Sequence, residues 1–496
     1  MPHLLSLDAG TSSTRAIVFD DAGLVRAVAQ KELPQHYPMP GWVEHDPNDI
    51  WTMQLGVAIE AIGRAGLRPS DIAAIGIANQ RENNHRMRDQ RDGPFTARSF
   101  GRITEPPDHC DRLRREGYED FIGDRTGLVL DAYFSATKIA WLLSHVPNAR
   151  IQAERGELAF GTVETWLAWN LSGGRSHVTD PTNASRTLLF NLHKQLWDDE
   201  LLKLFDIPRS MLPEIRPSSG IAALTAPGFF GDREIPIAGL AGDQQAALFG
   251  HRCLAPGQTK TTYGTGCFLL QNTGKTPIAS KHRLLTTIAY HTGDHLAYAL
   301  EGSVFVAGAV VQWLRDGLGI IERSEEVGTL AASVPDSGDV ILVPAFVGLG
   351  APHWDSTARG LLIGLTRGTH RGHIARAALE SIAFQVADLI EAMQIDSGLP
   401  IREMLADGGA VKNDLLMQIQ ADLLGIPIVR PAQSETTALG AALLAGLGVG
   451  VWRGISNLPP VQASNRRFDP QSNATSISER RLLWREAVRR THGWTS

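Results

Sequence analysis

Apolar and polar positions follow a few distinct rhythms along this chain, and each rhythm predicts an element. Short apolar runs closed by polar turns read as buried strands; they occur at residues 4–7, 72–78, 235–240, 340–343 and 426–429. Two of the strands open hairpins. The first enters the tight polar turn Asp8-Ala9-Gly10-Thr11-Ser12-Ser13-Thr14-Arg15 and returns at 16–19. The second, around 261–270, turns through Thr262-Tyr263-Gly264-Thr265-Gly266-Cys267-Phe268. A similar hairpin begun twice, roughly 250 residues apart, predicts two related halves rather than a solenoid. Residues 251–258 contain Gly and Pro and lack a period, so the boundary is expected near residue 250. Leu379, Ile382, Val386, Leu389 and Met393 step by three and four, which predicts a helix over 373–394 with one stripe on a core. Residues 406–410 read as a strand-to-helix turn, and 476–490 as a basic amphipathic terminal helix whose arginines face solvent.

Composition narrows the class. A chain of 496 residues is too long for one core, so two domains are expected, 1–250 and 251–496. With 43% apolar and 20% charged residues it is an ordinary globular protein. A net charge of −6 without long charge runs argues against nucleic acid as a partner. Cys110, Cys253 and Cys267 form neither a disulfide framework nor a metal spacing, which suggests a reducing compartment. The N-terminus meets Asp8 too early for a signal peptide, and no apolar run is long enough to insert in a membrane. A cytoplasmic location is the expectation. None of the histidines makes a metal spacing, and they are expected at the surface or at helix caps. Only eight of the 47 basic residues are Lys, which suggests a GC-rich coding sequence.

One acid stands at a telling position. Asp243, in Gly239-Leu240-Ala241-Gly242-Asp243-Gln244-Gln245, closes an apolar run and opens an Ala-rich helical pattern. A carboxylate there suits proton abstraction from a substrate hydroxyl; it equally suits a helix N-cap. Three other segments suit a nucleotide. Residues 8–15 offer Gly10 for close backbone approach and a run of N–H and hydroxyl groups that would form a concave anion site. Asp8, at the end of a buried strand, would hold Mg²⁺ through water. Gly264 and Gly266 flank Thr265 in a second turn, and two such turns face to face would grip a phosphate chain. Asp407-Gly408-Gly409-Ala410 would let a flat ring lie against the backbone, with Asn413 as a polar contact. Neither a P-loop nor a Rossmann glycine signature is present.

In this order, these segments resemble the FGGY family of carbohydrate kinases, and within it the members that act on glycerol. The resemblance runs nearly end to end. Its most specific stretches are Gly41-Trp42-Val43-Glu44-His45-Asp46-Pro47, Asn79-Gln80-Arg81-Glu82, Thr182-Asn183-Ala184-Ser185-Arg186-Thr187, Ala241-Gly242-Asp243-Gln244-Gln245, residues 262–268, and Gly348-Leu349-Gly350-Ala351-Pro352. It implies an α/β protein of the actin-like ATPase fold, with two RNase H-like domains around a central cleft. The N-terminal domain would bind polyol and phosphates, and the C-terminal domain the nucleotide. The implied reaction is ATP-dependent phosphorylation of glycerol to sn-glycerol 3-phosphate, with Mg²⁺. Asp243 would be the general base and Asp8 would help position the metal. Arg81, Glu82, Tyr133, Asp243 and Gln244 would bind the three hydroxyls, and Phe268 would pack on the carbons. Thr11, Ser12, Ser13 and Arg15 would form the first phosphate loop and Thr265 the second. Gly308, Gln312, Gly409 and Asn413 would contact the nucleotide. A homo-oligomer, dimer or tetramer, is implied as well. Other members phosphorylate pentuloses or tetritols; Arg81-Glu82 with Tyr133 and Phe268 weighs against those substrates here.

Residues 83–108 depart from the family pattern. The glycerol-specific members continue after Arg-Glu with Thr-Thr, then place a Trp-Gln pair whose Trp covers the glycerol carbons; the position aligned with that Trp is Gly101. Shifting the reading frame from Gln90 to Pro107 lets permitted codons encode Thr-Gly-Arg-Pro-Ile-His-Arg-Ala-Ile-Val-Trp-Gln-Asp-His-Arg-Ala-Ala. Trp then falls at the junction of Phe100 and Gly101, where the family has it. The pattern predicts a pair of compensating frameshifts in this stretch. With the residues as they stand, one wall of the substrate pocket is missing, and the alternative is an impaired or inactive homologue. Ala9 replaces a common Gln, a tolerable change. Residues 228–232 lack the character linked to fructose 1,6-bisphosphate inhibition, so that regulation is not expected.

Overall fold

The computed structural model describes residues 2–38, 43–81, 84–88, 99–100, 108–293, 295–460, 465–472 and 474–494. Most of the departing segment lies outside these residues, as do Trp42, Glu82 and Gly101.

Among the described residues thirteen strands form one mixed sheet. In chain order they are β1 (His3–Ala9), β2 (Ser13–Phe19), β3 (Val25–Glu32), β4 (Ile72–Asn79), β5 (Ser219–Leu224), β6 (Pro236–Gly242), β7 (Thr259–Tyr263), β8 (Cys267–Gly274), β9 (Leu285–Thr292), β10 (His295–Val304), β11 (Met404–Asp407), β12 (Ile428–Arg430) and β13 (Arg466–Phe468). Across the sheet they run β13-β12-β11-β7-β8-β10-β9-β5-β6-β4-β1-β2-β3. One plan occurs twice. In the first half β1, β2 and β3 form an antiparallel meander, and β4 and then β6 add parallel to β1. In the second half β7, β8 and β10 repeat the meander, and β11 and β12 repeat the parallel additions. The half-sheets meet where β5 bridges β9 through Ser219 and Thr292.

Helices cover both faces. They include α1 (Pro47–Arg64), α2 (Asp243–Gly250), α3 (Gly308–Asp316), α4 (Arg371–Ser397), α5 (Asp414–Leu424), α6 (Thr436–Gly448) and α7 (Ala474–Arg489). Asp46 starts α1 by accepting the Asn48 N–H. The predicted stripe Leu379, Ile382, Val386, Leu389 and Met393 is buried in the second-half core, as expected. On α7, Trp484 stacks on Phe384 of α4 with ring centroids 5.2 Å apart. The expected solvated arginine face is partly an interface, because Arg480, Arg481 and Arg485 pair with Glu380 and Glu391 of α4.

The runs at 4–7, 72–78 and 235–240 are the buried lengths of β1, β4 and β6, and the run at 340–343 becomes the short strand Ile341–Val343. The run at 426–429 enters its strand two residues late. Gly425, at φ 66, must first cap α5 in the left-handed conformation. Helix α6 is the unexpected element. It follows the glycine turns at 264–266 and 408–409 in the chain yet packs on β1, β4 and β6 of the first half and crosses α2. The crossing is backbone against backbone: a Cβ on Gly440 would lie 1.8 Å from the Ala246 carbonyl oxygen. No helix among the described residues is long and apolar enough to cross a membrane.

Candidate active site

Parallel strands deliver their C-terminal ends side by side, which is where open α/β sheets place ligands. Register in the first half sets Ala9, Asn79 and Gly242 abreast. The residues beside or just past them are Asp8, Arg81 and Asp243. In the second half Thr262 lies beside Asp407, so the turn at 264–266 and the glycine pair 408–409 leave the same edge.

Gly242 takes the cap position of α2, so Asp243 stands at the first helical residue. Its Oδ1 accepts the Gln244 N–H at 2.7 Å, and its side chain keeps 30% of its exposure. The same oxygen lies 3.4 Å from Arg81 Nε. Arg81 is otherwise committed elsewhere. Its Nη1 and Nη2 donate to Glu301 of β10 at 2.7 and 2.9 Å. Arg186 donates to the same carboxylate at 3.3 and 3.1 Å. All three side chains are at or below 1% exposure. Burial by itself would raise the pKa of Glu301; the charges of Arg186 and Arg81 outweigh it and hold the carboxyl well below its ordinary range. The resemblance put Arg81 and Glu82 on the substrate hydroxyls; Glu82 lies outside the described residues, and both Nη atoms of Arg81 are taken by Glu301. An acid inside the apolar run 296–304 was the available signal for it.

Asp8 is half-buried near the C-terminal end of the otherwise buried β1 and has no hydrogen-bond or ion-pair partner among the described residues. Burial pushes its carboxyl up to about 7; Arg15 opposes that shift, and the charges of Asp243 and Glu435 add to it. The turn that follows is braced from outside. His45 Nε2 is 2.7 Å from the Thr11 carbonyl oxygen, Leu33 donates its N–H to Ser12 O at 2.9 Å, and Gly10 donates to Ser13 O at 3.0 Å. Thr11 and Ser12 remain exposed and Ser13 half-buried. Arg15, expected on the phosphates, pairs with Glu435 at 2.8 Å, just ahead of α6.

The second turn is braced by α3. Gly308 donates its N–H to Gly264 O at 2.9 Å, and Ala307 donates to Thr265 O at 2.8 Å, leaving Thr265 exposed at the apex. Gln312 is exposed one turn further along α3. Gly408 has φ +93, and a Cβ there would lie 2.4 Å from the Tyr263 carbonyl oxygen, so only glycine fits. Gly409 is different: it is exposed, and a Cβ would meet nothing within 4 Å. Asn413 caps α5, its Oδ1 accepting the Leu416 N–H at 3.1 Å. Beneath this loop Asp407 accepts from His251 Nε2 at 2.9 Å and from the Thr436 hydroxyl. Burial would raise its pKa; His251, together with the charge of Lys260, holds it well below the ordinary carboxylate range. His251 and His45 therefore correct the expectation of idle surface histidines: both are buried, and each pins a loop of the cleft.

Gln244 accepts from Lys260, and Phe268 lies directly across the β7–β8 ladder from Thr262. Tyr133 is half-buried ahead of the helix Ser135–His145, edge-on to Phe134 with centroids 5.4 Å apart. The structure thus gathers Asp8, Arg81, Asp243 and Gln244 at one edge, and sets the turns carrying Thr265, Gly308 and Gly409 against one another.

The pattern of the FGGY family of carbohydrate kinases, N-terminal domain, matches residues 3–250, and that of its C-terminal domain matches residues 259–449. Glycerol kinase of Trichlorobacter lovleyi is 58% identical over 495 residues, covering 100% of this chain and 99% of the relative. Glycerol kinase 2 of Thermotoga maritima is 55% identical, with 100% and 99% covered. The crystal structure of Plasmodium falciparum glycerol kinase with ADP superposes with a TM-score of 0.90 at 34% identity, over 99% of this chain and 98% of that one. By fold and by sequence along its whole length, the chain belongs to the FGGY family of carbohydrate kinases.

Proposed function

We propose that this protein transfers the γ-phosphoryl group of ATP to a terminal hydroxyl of glycerol, giving sn-glycerol 3-phosphate and ADP. The observation that carries the reaction class is Asp243, a part-exposed carboxylate at a strand end, close enough to Asp8 for its charge to act there. The choice of glycerol rests on whole-length likeness to glycerol kinases at 53–58% identity. It also suits Gln244, Tyr133 and Phe268 as the groups that would receive the polyol, where an unmet polar group would penalise a substrate lacking a hydroxyl.

In the reaction Asp243 accepts the hydroxyl proton as the substrate oxygen bonds to phosphorus and the bond to the ADP oxygen breaks. Arg81 Nε, 3.4 Å away, orients the Asp243 carboxylate. Thr11, Ser12, Ser13 and Thr265 line the phosphates, and Gly409, with open space above it, receives the nucleotide with Gln312 and Asn413. Asp8 fits the role of holding Mg²⁺ through water, because it is a partnerless carboxylate whose burial and acidic neighbours favour a cation beside it. When bound, the metal neutralises charge on the phosphates. In this reading residues 1–250 serve the polyol and phosphates, and 251–496 the nucleotide.

The test is ADP release by purified protein across a panel of polyols and ketoses. Turnover stimulated by glycerol is expected, and Asp243→Asn should lower kcat by about 10²–10⁴-fold without changing the unfolding midpoint. Stimulation by a ketose alone, or ATP binding without turnover, overturns the assignment.

A further inference from the structure

We propose that Lys260 is a positioning residue for polyol recognition: it locks the Gln244 amide so that Nε2 presents its N–H donors to a substrate hydroxyl. The inference rests on the reading that the first turn of α2 faces the polyol. Lys260 projects from β7 and is fully buried. It donates to Gln244 Oε1 and, at 2.9 Å, to Thr262 Oγ1. An ammonium group carries three donors and no acceptor, so only the carbonyl end of the amide can face it. The amide is planar, and Nε2 is therefore turned away from Lys260. That nitrogen has no partner among the described residues, and it is not sealed among the buried unsatisfied atoms, so solvent reaches it. A donor pair held in place without a protein acceptor matches a neutral hydroxyl oxygen.

Strand geometry puts this pair where the substrate carbons are expected. Lys260 and Thr262 are two apart on β7 and share a face of the sheet. Phe268 lies directly opposite Thr262 on β8 and joins the same face. Ammonium, amide and ring thus line one wall, one residue from Asp243. Burial lowers the pKa of Lys260; the charges of Asp407, Asp243 and Glu301 oppose that shift, and the charge of Arg81 adds to it. In a pocket that binds a small uncharged triol, a fixed amide discriminates where a freely flipping one would not.

The experiment is a double-mutant cycle on kcat/KM with Lys260→Met, Gln244→Ala and the two combined. It uses whichever polyol the unaltered protein phosphorylates fastest. A polyol other than glycerol then overturns the functional reading while the cycle still tests Lys260. Each single change should raise the polyol KM by about tenfold and move kcat by less than about threefold, with the ATP KM unchanged. The combined variant should be no worse than Gln244→Ala alone, because Lys260 acts through that amide. Lys260→Gln, which keeps a donor, should restore most of the affinity and covers the case in which the Met variant does not fold. Additive losses, a loss confined to kcat, or equal losses in Lys260→Gln and Lys260→Met overturn the proposal.

Discussion

Glu301 is a single carboxylate between two arginines, and at residue scale it is the most consequential group that no motif announces. Arg81 and Arg186 are both buried on it, so it neutralises charge that has no route to water. Replacing such a partner leaves uncompensated ions in the interior, at a cost of about 3–5 kcal/mol. Glu301→Gln should therefore lower the unfolding midpoint by several degrees in a calorimetric scan. It should also raise the glycerol KM, because Arg81 then loses the anchor that aims its Nε at Asp243. A variant with unchanged midpoint and unchanged KM would show that the triad is incidental. The departing stretch 83–108 is also a matter of residues. Sequencing the DNA from codon 90 to 107 is expected to show an alternative frame encoding Trp-Gln at the Phe100–Gly101 junction.

At the scale of elements, the α2–α6 crossing does what side chains cannot. Two helices far apart in the chain touch through carbonyls and glycines, so there is no side chain to give way. A methyl on Gly440 would overlap the Ala246 oxygen, and overpacking of this kind costs about 1–3 kcal/mol or more. Gly440→Ala should lower the midpoint and weaken both substrates together, since α2 carries Asp243 and α6 begins beside Glu435. Gly409 makes the opposite prediction. With open space around its Cβ direction, Gly409→Val should leave the midpoint unchanged and raise the ATP KM alone. Steady-state kinetics on the two variants, read beside their melting curves, separates a packing glycine from a ligand-facing one.

Stability against pH belongs to the whole molecule. Burial raises the carboxyls of Asp8 and Glu164 to about 7 and that of Asp388 to about 6. An acid with a raised folded pKa holds its proton in the folded state at pH values where the unfolded chain has released it. Its contribution is full below the ordinary carboxylate value and is lost as pH rises to the folded value. These groups should make the unliganded protein less stable between about pH 4 and about pH 7. Asp8→Asn and Glu164→Gln should each flatten that slope relative to the unaltered protein in denaturant titrations. Glu301 and Asp407 act with the other sign: their depressed carboxyls add stability above the ordinary range and lose it only in stronger acid.

Local information was enough for much of this. The strands at 4–7, 72–78 and 235–240, the doubled hairpin and the long helix with its stripe are written in periodicity, because burial selects apolar residues at fixed spacing. Glycine turns and an acid at a strand end likewise fall at the strand ends where the site is proposed. Tertiary structure decided the rest, since it depends on residues that meet only after folding. Helix α6 crosses to the first half, Glu301 takes Arg81 and Arg186, His251 and Thr436 converge on Asp407, and Lys260 reaches Gln244. Each of these contacts joins distant positions through polar groups, whose partners are set by geometry and desolvation and leave no period in the chain.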